Sequence, residues 1–336
     1  MSSHPSRSSH PSRSSNPSRL GLATIGLLAL ACGAAAAADR SEIAIPGDRA
    51  YPESLSSSSD GTIYVGSFAE GGVVRVPPGA AKAEPWIKPG ANDSRSTLGV
   101  LADDGSGTLW VCSNDMSAMG VVTPGTAKGS AVKSFDLKTG APKGSATLPG
   151  DRTLCNDIAI GPDGAAYVTD SFNPHVLRLK PGGGQFEVWA TDPRFTVKNG
   201  AGLDGIAFGG DGNAYVDTFN GNGLFRIAVA GNGAAGKITQ LETSRPIKLP
   251  DGMRRYGNNT LLMIEGAGRL DRVTVDGDKA TIDTIKEGYD GPVAVTQVGD
   301  TAWVLEGQLH YLLDPKSKGQ NPRLPFRAYA VPLPRQ

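Results

Sequence analysis

Beyond residue 40 the chain alternates short apolar runs with turn residues, and no stretch keeps helical spacing for long. Runs such as Ile63-Tyr64-Val65, Ala166-Tyr167-Val168 and Ala214-Tyr215-Val216 are rich in β-branched and aromatic residues, as strands are. Each follows an Asp-Gly pair, which supplies the positive φ of a tight hairpin. The pattern therefore predicts short antiparallel strands joined by hairpins.

The pattern also repeats. Residues 156–168 read NDIAIGPDGAAYV and lead to Leu177-Arg178-Leu179; residues 204–216, 48 positions on, read DGIAFGGDGNAYV and lead to Phe225-Arg226-Ile227. Residues 53–65 read ESLSSSSDGTIYV and lead to Val74-Arg75-Val76 in the same register. Weaker copies open at Leu98-Gly99, Asp251-Gly252 and Gly291-Pro292. Units of about 40–50 residues with four short strands are propeller blades. The prediction for residues 39–336 is an all-β, six-bladed β-propeller with four-stranded antiparallel blades. Segments Glu42–Ile45 and Ala328–Val331 fall outside the six units and are expected to pair in one blade, closing the ring and removing its sheet edges. A β-sandwich is the alternative, and it leaves the fixed period unexplained.

Composition sharpens this picture in three ways. Gly 45 and Pro 24 match a turn-dense β protein. Lys+Arg and Asp+Glu are 33 each, so there is no basic excess to meet nucleic acid or an anionic membrane. The segment ahead of the repeats has a different character. Residues 2–19 are three SSxPSR-like hexapeptides with Arg7, Arg13 and Arg19, followed by an apolar run Leu20–Ala31, Cys32-Gly33 and alanines 34–38. These are the parts of a signal peptide over residues 1–38, cut after Ala38, which places the protein in the periplasm or outside the cell. Two other readings stay open: Leu20–Ala38 retained as a signal anchor, or a lipid anchor on Cys32 of Ala29-Leu30-Ala31-Cys32. With the signal removed, no integral membrane span is expected, and a closed ring is expected to be a monomer.

Export leaves His175, His310, Cys112 and Cys155. An oxidising compartment permits a Cys112–Cys155 disulfide, and two buried free thiols are the equal alternative. Without a CxxC pair there is no cysteine zinc site.

The chemistry collects in one column of the repeat. Blades bring the start of the inner strand to one mouth of the central channel, and that column reads Glu53, Gly99, Asn156, Asp204, Asp251 and Gly291-Pro292. Carboxylates gathered on one axis repel each other and raise each other's pKa, a cost that a cation relieves. A histidine-free oxygen set suits one divalent cation, Ca²⁺ first, with Mg²⁺ or Mn²⁺ behind it. Any one of these residues would be read as an Asx turn. Four at one position, one of them a glutamate, favour a metal.

The openings YPES, NDIAI, LDGIAF and LPDGM, each before a D-G and Y-V-like hairpin, resemble the SMP-30/gluconolactonase family of six-bladed propellers over about residues 45–335. The resemblance implies an axial divalent cation, generally calcium or zinc, and in many members lactone hydrolysis. It implies that Glu53, Asn156, Asp204 and Asp251 bind the metal, with Asp251 also the general base and Asn156 near substrate. Arg152, beside the third opening, is expected to meet an anionic substrate. Two departures stand out: Ser54 follows the glutamate where the family has glycine, and Asp204 replaces the family's second asparagine.

The expected activity is metal-dependent hydrolysis of a lactone or related ester, with a small-molecule substrate and no nucleic-acid partner. The other class in play is a non-enzymatic propeller that binds a small ligand or protein around a structural calcium ion. A third, strictosidine-synthase-like reading would need Glu265 or Glu306. No G-x-S-x-G motif occurs; His175 is expected in a surface turn and His310 in an apolar strand. Arg75, Arg178, Arg226 and Arg272 are expected to pair between blades, and Arg95, Lys198, Arg254 and Arg255 to lie in inter-blade loops. Asp157 is a candidate supporting group.

Overall fold

The Asp-Gly pairs form the turns that the pattern predicts: Gly61, Gly164 and Gly212 have φ of 87°, 74° and 77°. The aspartate locks each turn by accepting a backbone N–H two residues on, Asp60 from Thr62 (2.8 Å), Asp163 from Ala165 (3.1 Å) and Asp211 from Asn213 (3.1 Å). Tyr167 and Tyr215 then donate back to the same carboxylates, at 3.1 and 2.8 Å. In blade one Tyr64 reaches instead to the Leu137 carbonyl of blade two, at 3.3 Å.

The computed structural model of the chain describes residues 41–317 and 319–334. The expected signal peptide, its cut after Ala38 and Cys32 lie outside the described residues. Six antiparallel sheets make a six-bladed β-propeller. Blade one is Pro52–Ser57, Ile63–Ser67, Val73–Val76 and Glu84–Ile87; blade two is Ser96–Asp103, Thr108–Asn114, Ser130–Asp136 and Pro142–Thr147. Blade three is Cys155–Ile160, Ala166–Asp170, His175–Leu179 and Glu187–Thr191; blade four is Leu203–Phe208, Ala214–Thr218, Gly223–Val229 and Ala235–Gln240. Blade five is Pro250–Arg255, Thr260–Glu265, Arg269–Asp276 and Lys279–Glu287, with the short Glu242–Thr243 added in parallel on its outer edge. Blade six is Pro292–Val298, Thr301–Glu306, Phe326–Pro332 and, from the other end of the chain, Glu42–Ile45. The closing pair runs from Glu42↔Tyr329 to Ile45↔Phe326, so the ring is fastened as expected.

Adjacent blades pack face to face through alternating apolar residues. Tyr64 and Val73 of blade one meet Val100, Leu109 and Phe135 of blade two, and Leu262 and Leu270 of blade five meet Val295 and Val304 of blade six. Cys112 and Cys155 form a disulfide across a separation of 43 residues, joining the second strand of blade two to the inner strand of blade three.

Four expectations are corrected. His310 opens a short helix, His310–Leu313, in the blade-six loop and is not in a strand; His175 heads a strand, with Nδ1 3.0 Å from Thr191 Oγ1. The recurring arginines mostly pair within their own blade, because the residue opposite on the outer strand is acidic: Arg75 with Glu84, Arg178 with Glu187, Arg272 with Asp283. Arg226 faces the uncharged Thr239 and so reaches across to Asp278 of blade five at 2.5 Å. Arg254 and Arg255 belong to an inner strand, not to a loop. Among the described residues, no helix is long and apolar enough to cross a membrane.

Candidate metal and active site

Each inner strand begins with a break in register. In blade one the pairing steps from Pro52↔Ser67 to Leu55↔Val65, so Glu53 and Ser54 share the space opposite a single residue. The same two-residue bulge holds Leu98-Gly99, Asn156-Asp157, Asp204-Gly205 and Asp251-Gly252 in blades two to five, and blade six skips only Val293. Bulges of this kind re-aim side chains. The register also corrects the column, which runs Glu53, Leu98, Asn156, Asp204, Asp251 and Val293. The two positions without an oxygen donor are apolar in register, although in blade two it is Gly99, as read from the sequence, that lines the axial cavity.

The second bulge position touches the next blade. Ser54 Oγ accepts the Val100 N–H at 3.1 Å, and Asp157 Oδ2 accepts the Ile206 N–H at 3.2 Å. Where the position is glycine the backbones come closer: a Cβ on Gly99 would stand 2.2 Å from the Asn156 carbonyl oxygen, and one on Gly205 2.4 Å from that of Asp251. Ser54, where the family resemblance leads one to expect glycine, thus joins blades one and two.

Glu53, Asn156, Asp204 and Asp251 converge on one axial cavity, which Asp157 also lines. All are buried. Asn156 Nδ2 donates to Asp204 Oδ2 and to Ser171 Oγ, both at 2.9 Å, and Asp251 Oδ1 accepts the Gly252 N–H at 2.9 Å. The cavity offers only about 10 Å³, the lower bound of what one water needs.

Burial, followed by the neighbouring carboxylates, pushes these acids up. Asp204 rises to about 8, through burial and then Asp157. Glu53 is driven well above the usual range by burial, Asp204 and Asp157, with Arg254 pulling the other way; Asp251 is driven up by burial, Asp204, Glu53 and Asp217.

Arg254 and Asp217 were not expected in the site. Arg254 holds Asp157 with both Nη atoms, at 2.7 and 3.1 Å, reaching from blade five to blade three past blade four. Asp217, on the second strand of blade four, is fully buried. The aligned repeats carry the signal for it: after the shared Tyr-Val, blade three has Thr169 and blade four has Asp217.

Arg152 stands apart from this lining, on the exposed loop before blade three, with its guanidinium 4.7 Å from the Phe172 ring centre. Glu265 accepts from Arg245 Nη1 (2.6 Å) and from the Lys248 N–H, and Glu306 from the Asp290 N–H (2.8 Å). Both glutamates pin loops at the ends of second strands and lie outside the axial lining.

Among the described residues, no three His, Cys, Asp or Glu side chains already close into a metal cluster. The donor chemistry nevertheless fits a hard cation. Glu53, Asp157, Asp204, Asp217 and Asp251 face one guanidinium, and within this cluster the buried Asp217 Oδ2 has no partner.

No protein-family model and no curated protein matches this chain. Solved structures do match it in fold. A gluconolactonase from Xanthomonas campestris aligns with a TM-score of 0.61 at 17% identity, over 85% of this chain and 88% of that one. A luciferin-regenerating enzyme aligns with a TM-score of 0.63 at 14% identity, over 85% and 92%. The allergen Mala s 1 of Malassezia sympodialis aligns with 0.66 at 15% identity, over 87% and 96%. At these identities the likeness carries the propeller fold alone.

Proposed function

We propose that this chain is a divalent-cation-dependent hydrolase of lactones or related esters, working in the periplasm or outside the cell. The observation that carries the reading is the convergence of Glu53, Asn156, Asp204 and Asp251 on one buried axial cavity. A propeller of the same fold being a gluconolactonase agrees with it.

Glu53, Asn156, Asp204 and Asp251 would hold the cation, calcium before zinc, magnesium or manganese. When bound, the ion supplies a Lewis acid for the ester carbonyl and for the charge that grows on its oxygen. The chain's own residues do the rest. The Gly252 N–H fixes Asp251 Oδ1, which leaves Oδ2 for proton transfer. Asp251 takes a proton as water oxygen adds to the carbonyl carbon. It returns that proton to the ring oxygen as the C–O bond breaks, leaving a hydroxy acid. Burial and the neighbouring carboxylates raise its pKa, as a base needs, while a bound cation would lower it again, so its base strength is expected to be moderate. Arg152 is assigned to meet an anionic substrate from the rim.

One observation favours a second reading, a binding propeller with a structural ion: the axial cavity is nearly filled. Proton release from purified protein, over sugar-acid, aliphatic and aryl lactones, decides between them. Hydrolysis that EDTA stops and calcium restores, and that Asp251→Asn lowers about 10²–10⁴-fold while the fold is kept, supports the hydrolase. Folded, calcium-loaded protein that turns over none of the panel refutes it and leaves the binding reading.

A further inference from the structure

In blades one to five the inner-strand bulge faces a single residue of the second strand: Gly66, Cys112, Thr169, Asp217 and Ile264 in order. Four of these are accounted for without charge. Cys112 is in the disulfide, and Thr169 Oγ1 accepts the Asp157 N–H at 3.0 Å and donates to the Asp204 carbonyl at 2.6 Å. Gly66 and Ile264 bring no polar group.

Asp217 is the exception. It is 0% exposed, its Oδ1 accepts the Gly205 N–H at 2.9 Å, and its Oδ2 has no partner. A Cβ on Gly205 would lie 2.9 Å from that free oxygen, which therefore rests against the bulge presenting Asp204. The charged groups around it are Asp204, Asp157 and Asp251. The guanidinium in the cluster, Arg254, is committed to Asp157 and to the Met253 carbonyl. A buried carboxylate oxygen with neither donor nor cation is costly to keep.

We propose that Asp217 belongs to the cation site: buried behind Asp204 and Asp251, it supplies negative charge that a bound ion balances and biases the centre towards hard, highly charged cations. This deepens the proposed function and rests on its cation. Asp217 does not line the cavity, so it acts through charge and not as a ligand. Charge at short range in a buried site changes cation affinity by about tenfold or more, and the effect scales with the charge of the ion.

The test uses the full chain as wild type, Asp217→Asn and Asp217→Thr. Asparagine keeps the bond to Gly205, and threonine copies blade three. Calcium affinity is measured by calorimetry, terbium affinity by luminescence, and melting temperature with EDTA and with calcium. With EDTA both variants should melt no lower than wild type. Calcium affinity should fall at least about tenfold, terbium affinity further, and the calcium-induced rise in melting temperature should shrink. Wild-type affinity within twofold in either folded variant overturns the proposal. So does a variant destabilised equally with and without calcium. A wild-type chain that takes up neither ion overturns the cation itself, and with it both readings.

Discussion

Arg254 is the residue whose loss should be felt most widely. Its side chain is 14% exposed and that of Asp157 6%, and two short bonds hold them together across the channel. Arg254→Met keeps the length and removes the charge. Asp157 is then left with the Ile206 N–H alone, beside Glu53 and Asp204. Removing one partner of a buried pair costs about 3–5 kcal/mol. For a domain of about 298 residues the unfolding entropy near the midpoint is about 0.6 kcal/mol/K, so the melting temperature should drop by roughly 5–8 °C. Calorimetry in EDTA, on wild type, Arg254→Met, Asp157→Asn and the double variant, measures this. The double variant should recover more than half of the loss seen in Arg254→Met, since no charge is then stranded. A melt within about 2 °C of wild type, or losses that simply add in the double variant, would refute the account of the pair as the clamp of this channel.

Two further predictions concern the frame. Gly99→Ala should lower the melting temperature sharply or prevent folding, because the added carbon meets the Asn156 carbonyl at 2.2 Å, whereas Gly184→Ala, with open space around it, should stay within about 0.5 kcal/mol. Asp271 sits beside Glu265 and Arg245, and burial, then Glu265, raises it from 3.8 to about 6. A carboxyl raised on folding favours the folded state fully below its unfolded pKa, and that contribution is lost as pH rises through the folded value. The stability of wild type minus that of Asp271→Asn, from urea melts at pH 4, 5 and 6.5, should therefore be largest at pH 4 and fall towards pH 6.5; a flat difference rejects the assignment.

Most of the architecture was legible because it depends on features that recur. The Asp-Gly turns and the tyrosines at fixed spacing after them mark the strands, and the unmatched segments at the two ends could only be used by pairing with each other. The donor column was legible too, since Glu53, Asn156, Asp204 and Asp251 hold equivalent positions in the bulges. What escaped was contact between blades. The bond from Arg254 to Asp157 spans 97 residues, and no local pattern marks it. Gly99 does line the axis, but its register was read one residue late, because a bulge puts two residues against one, which a fixed period cannot show. Arg226 pairs between blades as expected, whereas Arg75, Arg178 and Arg272 were given the wrong partners because each lies opposite an acid on a poorly repeated outer strand.

The bulge explains why site and ring cannot be separated in this fold. Its first residue carries the donor side chain in blades one, three, four and five, and its second binds or abuts the next blade while also lining the cavity at Ser54, Gly99, Asp157 and Gly252, so one distortion of the backbone does both jobs. Ser54 on Val100 and Asp157 on Ile206 are the polar versions, while Gly99 and Gly205 let the backbones close directly. Any shift between neighbouring blades therefore moves an axial carboxylate. The converse also holds: a cation drawing Glu53, Asp204 and Asp251 together would tighten blades one, four and five against their neighbours. Under that coupling, calcium binding should raise the stability of the whole ring and not only order the mouth. The disulfide between Cys112 and Cys155 acts on the same axis from outside, because Cys155 immediately precedes Asn156 and Asn114 bonds its N–H and carbonyl at 3.0 and 2.9 Å. Blade three is thus held against blade two at the point where its donor enters the site.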